Sequence, residues 1–95
     1  MARRNATPSP SKTVYLGLEC GGTRTVARTG GAVQVRHEFG PANLRLVNDL
    51  QLNRHFRAIA RAMPRPTAVA IGMAGARTDA DRARIRRAAA LAWPG

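Results

Sequence analysis

The groups best able to do chemistry in this chain lie together in one octapeptide, Leu18-Glu19-Cys20-Gly21-Gly22-Thr23-Arg24-Thr25. A tight turn through Gly21 and Gly22 exposes successive backbone N–H groups, and Thr23 and Arg24 add a hydroxyl and a fixed cation beside them. Convergent amides, a hydroxyl and a cation suit a polyphosphate. Glu19 stands where a carboxylate could meet a divalent metal through water. The same octapeptide also reads as an ordinary glycine hairpin, so its neighbours must decide between the two.

Those neighbours are fairly legible. Val14–Leu18 reads as a short buried strand and Thr25–Thr29 as a second. Gly30-Gly31 signals a two-residue hairpin, after which 32–39 alternates with Val33, Val35, His37 and Phe39 on one face. Three antiparallel strands then make a meander. His37 on an apolar face is expected to be a partly buried, hydrogen-bonded core residue rather than a catalyst. Gly40-Pro41-Ala42-Asn43-Leu44-Arg45-Leu46 forms a loop. Asn48 caps a helix, with Asp49 in its first turn, Gln51 at the third position, and Leu52, Phe56, Ile59, Ala60 and Met63 as its apolar stripe. Pro64 and Pro66 close it. Thr67–Met73 is a continuous apolar run, expected as a central strand covered on both faces. It opens onto Ala74-Gly75-Ala76-Arg77, at the strand end where α/β sheets usually hold ligands. Thr78 and Asp81 form a capping box for a last helix, with Ile85, Ala88, Ala89 and Ala92 buried. Arg82, Arg84, Arg86 and Arg87 read as its solvated face, and Trp93-Pro94-Gly95 ends it.

Composition limits what these elements can build. A chain of 95 residues, 44% hydrophobic, forms one small domain with a modest core. No apolar run approaches the ~20 residues of a membrane-spanning helix. Met1-Ala2-Arg3-Arg4 opens like a signal peptide, but a polar, proline-bearing stretch follows. Residues 1–12 are therefore expected to be a disordered basic tail, residues 13–95 a domain, and the setting cytoplasmic. Cys20 is the single cysteine, which excludes an intramolecular disulfide, a multi-cysteine zinc site and a cysteine-ligated iron–sulfur cluster. The formal charge is +11, and 15 of the 16 basic residues are arginine, scattered along the whole chain. With abundant alanine, this resembles high-GC coding bias. No DNA- or RNA-recognition motif accompanies it, so nonspecific attraction to polyanions is expected rather than specific recognition.

Strand–strand–strand–helix–strand–helix is the opening of the ribonuclease H-like fold, the half-domain of the actin, hexokinase and Hsp70 class of ATPases. Within that class the chain resembles the N-terminal part of the BadF/BadG/BcrA/BcrD-type ATPase family, which includes N-acetylglucosamine kinases. Leu16-Gly17-Leu18-Glu19-Cys20-Gly21-Gly22-Thr23-Arg24-Thr25 is similar to the family's first phosphate loop, normally an aspartate, three glycines, threonine, lysine and threonine. Gly40-Pro41-Ala42-Asn43 resembles the loop that approaches the sugar. Ala70-Ile71-Gly72-Met73-Ala74-Gly75-Ala76 resembles the strand and Ala-Gly loop bordering the same cleft. The likeness spans about residues 13–95 and covers roughly the first third of a full family member.

The resemblance implies ATP and Mg²⁺ as cofactors and an amino sugar as substrate. Gly21, Gly22, Thr23 and Arg24 would face the phosphates, Glu19 the hydrated metal, and Asn43 and Gly75 the sugar. Arg24 replaces the usual lysine with a different donor geometry. Glu19 replaces the aspartate with one more methylene. Cys20 replaces a glycine, which costs about 1–2 kcal/mol if the backbone there is left-handed. No catalytic residue is assigned, because the family's catalytic aspartate, second phosphate loop and second lobe follow the segment matched. The chain is therefore expected to be an N-terminal fragment, inactive alone, or one completed by a second polypeptide or a homodimer. An exposed edge at the strand around Ile71 would leave it marginally stable or aggregation-prone. Two alternatives stay open: a fragment of a related ATPase, such as a dehydratase activator, and a small basic nucleic-acid-binding protein.

Overall fold

In the computed structural model, residues 13–94 are described, so the expected tail at 1–12 lies outside the described residues, as does Gly95. Three strands come first: β1 (Val14–Cys20), β2 (Thr25–Gly31) and β3 (Arg36–Phe39). Helix α1 (Asp49–Ala62), strand β4 (Ala68–Met73) and helix α2 (Asp79–Ala92) follow. The result is an α/β unit with a mixed sheet in the order β3-β2-β1-β4. β1 pairs antiparallel with β2, and β2 with β3, while β4 lies parallel to β1.

Side-chain alternation decides which face of the sheet is covered. Leu16, Leu18 and Cys20 of β1 and Ala27 of β2 point to one side and are buried with Leu52, Phe56 and Ile59 of α1 and Ile85 and Ala88 of α2. Val69, Ile71 and Met73 of β4, the register partners of Leu16, Leu18 and Cys20, complete that layer. The intervening residues Tyr15, Glu19, Arg28, Ala68, Ala70 and Gly72 are exposed on the opposite side. Helices thus cover one face only among the described residues.

Each helix starts where its sequence signals say. Asn48 accepts from the Gln51 N–H, and the Gln51 side chain accepts from the Asn48 N–H, both at 2.8 Å. Thr78 and Asp81 form the same reciprocal box at α2. The α1 stripe is real, with Phe56 fully buried and its ring centroid 5.7 Å from that of Trp93.

The structure differs from the sequence reading at four places. β4 has one open face where two covered faces were expected, and among the described residues it ends the sheet, in line with the exposed edge expected around Ile71. Its continuous run of small apolar residues lacks the polar alternation that normally betrays an open face. β2 runs on through Gly30 and Gly31, which pair with Tyr15 and Val14, so the turn falls at 32–35 and β3 begins only at Arg36. Gly31 has φ +86°, and a Cβ there would meet the Thr13 carbonyl oxygen at 2.3 Å. That close approach, not a two-residue turn, requires the glycine. The Thr29 hydroxyl closes the wider turn, donating to the Val33 carbonyl and accepting from the Val35 N–H, each at 2.8 Å. His37, on the short edge strand β3, is exposed and no part of the core. Arg84, expected on a solvated face, is mostly buried and binds the loop before α1, as described below.

Candidate phosphate-binding site

Backbone hydrogen bonds gather the loops at one end of the sheet. The Ala74 N–H donates to the Cys20 carbonyl at 2.8 Å, extending the β1–β4 ladder past its last pair. The Ala74 carbonyl then accepts from the Leu44 N–H at 2.9 Å, through a parallel bridge between Asn43 and Ala74. The Gly21 carbonyl accepts from the Ala42 N–H at 3.0 Å. Three segments far apart in sequence, around Gly21, Asn43 and Gly75, thereby share one end of the fold.

The turn Gly21–Arg24 joins β1 to β2. It is closed by the Gly21 N–H donating to the Arg24 carbonyl at 2.8 Å, so this amide is used by the turn itself. The N–H groups of Gly22, Thr23 and Arg24 and the Thr23 hydroxyl have no hydrogen-bond partner among the described residues. All three residues are exposed. A Cβ on Gly22 would meet nothing within 4 Å, whereas one on Gly21 would lie 3.1 Å from the Arg24 carbonyl oxygen. Arg24 keeps only a long, exposed ion pair with Glu38, 3.9 Å. Such a pair is weak, which leaves the guanidinium available to an anion.

An opening of about 460 Å³ lies beside this turn, bounded by Glu19, Thr23, Arg24, Val26, Gly72 and Ala74. Glu19 projects from the open face of β1 across its ladder partner Gly72, where a Cβ would fall 2.8 Å from its Oε2. Gly72 thus clears the space that the carboxylate occupies. A larger groove of about 920 Å³ sits at the opposite end of β4, lined by Met63, Pro66, Val69, Ala89 and Trp93 among others. None of the three loop segments reaches it.

Cys20 also lines the opening but supplies no reactive group to it. It is a strand residue, ladder-paired with Thr25, so no left-handed backbone penalises its side chain. Its thiol points into the core, where burial pushes its pKa up to about 11, with the nearby Glu19 charge adding and a Thr25 hydrogen bond opposing. A thiol protonated at neutral pH is neither a nucleophile nor a metal ligand.

Asn43 is oriented by its own loop. Its Oδ1 accepts from the Arg45 N–H at 2.9 Å, and because that partner can only donate, the amide's orientation is fixed. Its Nδ2 has no partner among the described residues. Gly75 supports this arrangement: at φ +87°, a Cβ there would stand 2.5 Å from Asn43 Oδ1. Gly75 therefore serves Asn43 directly.

Several residues that hold the site escaped sequence reasoning. Arg45 donates to the Gly75 carbonyl at 3.0 Å and to Asp81 Oδ2 at 2.5 Å. Asp81 is buried and also accepts from the N–H groups of Arg77 and Thr78. The Arg77 amide foremost, then those of Thr78 and the Arg45 charge, hold its carboxyl below the usual range. Arg84 donates to the Leu44 carbonyl at 2.9 Å, to the Val47 carbonyl, and to Asp49 at 2.5 Å. Helical spacing does carry a signal for Arg84, which follows Asp81 by one turn and precedes Ala88 by another. His55, whose Nε2 lies 2.9 Å from the buried Thr25 hydroxyl, carries the same spacing signal, one turn after Leu52 and one before Ile59, but nothing local names its partner.

Comparison with protein-family models and with curated proteins returned no match.

Proposed function

We propose that this end of the sheet is the phosphate-binding wall of an ATP-dependent sugar kinase resembling the N-acetylglucosamine kinases, on a partial ribonuclease H-like half-domain. The observation that supports it most is the convergence of three segments. The Gly21–Arg24 turn, the Asn43 loop and the Ala74-Gly75 loop are joined by hydrogen bonds of 2.8–3.0 Å.

The residues present fit the groups that this reading requires. The unpartnered amides of Gly22, Thr23 and Arg24, the Thr23 hydroxyl and the Arg24 guanidinium form a cationic, donor-rich surface suited to a polyphosphate. Glu19 is the carboxylate that would hold hydrated Mg²⁺, which commonly takes one or two carboxylates and keeps its waters. When bound, the metal would neutralise charge on the phosphates. Asn43 offers Nδ2 as a donor to a sugar oxygen. Phosphoryl transfer draws on groups from both sides of a cleft, so the role proposed for these residues is binding and orientation.

Calorimetric titration with ATP, with and without Mg²⁺, tests the reading. Saturable binding should weaken about tenfold or more in Arg24→Met, as expected for losing a charge-assisted contact. Glu19→Gln should remove the Mg²⁺ dependence alone. Binding that is unchanged in both variants, or equal for ATP and any DNA of similar charge, would leave only nonspecific attraction to a +11 chain.

A further inference from the structure

The residue pair that closes the hairpin beneath the phosphate turn is polar, although it faces the core. Cys20 ends β1, Thr25 begins β2, and the two are register partners immediately below Gly21–Arg24. Thr25 has no exposed surface. A hydroxyl so placed must find a partner, because leaving it unpaired away from water is costly. Its partner is His55 Nε2, reaching from α1 at 2.9 Å. Burial lowers the His55 pKa, so at neutral pH the ring is uncharged and Nε2 can accept the Thr25 proton.

Both ends of the turn are therefore tied to other elements. The Cys20 carbonyl is held by the Ala74 N–H at 2.8 Å, and Thr25 is held by α1 through His55. Between these fixed points lie the exposed residues Gly22, Thr23 and Arg24, of which Thr23 and Arg24 line the opening. Backbone donors bind an anion well only when they are set in advance, since ordering them at binding costs affinity.

The geometry points to His55 as a positioning residue for the phosphate turn, acting through the Thr25 hydroxyl to fix the backbone that carries the Gly22, Thr23 and Arg24 N–H groups. This rests on the reading of the turn as a phosphate wall for its ligand, but it also has a consequence in the protein alone: the turn's own hydrogen bond, Gly21 N–H to Arg24 carbonyl, depends on His55.

Two readouts on one variant set test it: calorimetric affinity for ATP, and amide hydrogen exchange at Gly21 followed by NMR. His55→Leu and Thr25→Val should each weaken ATP binding about tenfold, as for one lost buried hydrogen bond with its orphaned partner. Each should speed Gly21 exchange more than exchange at core amides such as Leu16. The double variant should be no worse than either single one, because both remove the same link. His55→Gln, whose amide reaches about as far as Nε2, should restore both readouts. If His55→Leu does not fold, His55→Asn, too short to reach Thr25, takes its place. Unchanged affinity and exchange, or exchange accelerated equally throughout the core, would overturn the positioning role. If the wild-type chain does not bind ATP, the phosphate reading fails, while the exchange comparison still decides whether His55 holds the turn.

Discussion

Gly75, Asp81 and His55 show how much of this molecule depends on single positions. Gly75 sits at φ +87° against Asn43 Oδ1, so Gly75→Ala meets both a backbone penalty and a collision. Chemical denaturation should show a loss of about 1–3 kcal/mol, the range for strain at a constrained site. The titrations of His55 and Asp81 give stability a pH profile of fixed sign. His55 has a lowered folded pKa, so below 6.5 the unfolded chain takes up a proton that the folded chain resists. Stability therefore falls as pH drops from 6.5 toward the folded value. Asp81 is lowered from 3.8, so its contribution is complete above that value and is lost as pH falls through its folded pKa. Thermal melts across pH should show two descending steps. His55→Gln should erase the upper one and leave the lower. At this scale the sequence displayed the Gly-Gly-Thr turn, Asn43 and Gly75. It hid His55 and Arg45, because their roles depend on partners 30 residues or more away, which no local spacing encodes.

The helices were the most readable elements, since their signals are local. Both capping boxes and both apolar stripes follow from residues within a turn or two of each other. Asn48→Ala should lower stability by about 1 kcal/mol in urea denaturation, the usual cost of a lost N-cap. Arg84 shows the limit of the same reading. It faces the loop before α1, and its three donors tie α2 to Leu44, Val47 and Asp49. Arg84→Met should cost about 1–3 kcal/mol, by orphaning two carbonyls, and should raise amide exchange in residues 44–47. Strands were read less well. Gly30-Gly31 looks like a hairpin turn, yet these residues pair within β2 because the carbonyl of Thr13 approaches Gly31 closely. Run length alone cannot tell a strand of small residues covered on one face from one covered on both, which is why the open face of β4 was not legible.

As a whole, the described unit combines a strong positive charge with one uncovered sheet face and two unlike edges. β3 is short and carries Arg36 and Glu38, paired at 2.9 Å, which guard it against pairing with another chain. β4 is longer and carries no charged side chain. Salt that screens the net repulsion should therefore promote association through β4. Ala70→Lys, on the open face of β4, should suppress light scattering at high salt while leaving the melting temperature nearly unchanged; unaltered scattering would place the association elsewhere. No helix among the described residues is long and apolar enough to cross a membrane. The central claim, that the Gly21–Arg24 turn is one wall of a nucleotide phosphate site, is tested most directly by a ¹⁵N NMR titration with ATP and Mg²⁺ at about 0.3 M salt, where exposed charges are largely screened. The predicted result is a saturable set of shifts concentrated at the Gly22, Thr23 and Arg24 amides and the Asn43 side chain, with residues around Trp93 unmoved. Shifts spread over the exposed arginines that vanish with salt, while the turn amides stay in place, would contradict it.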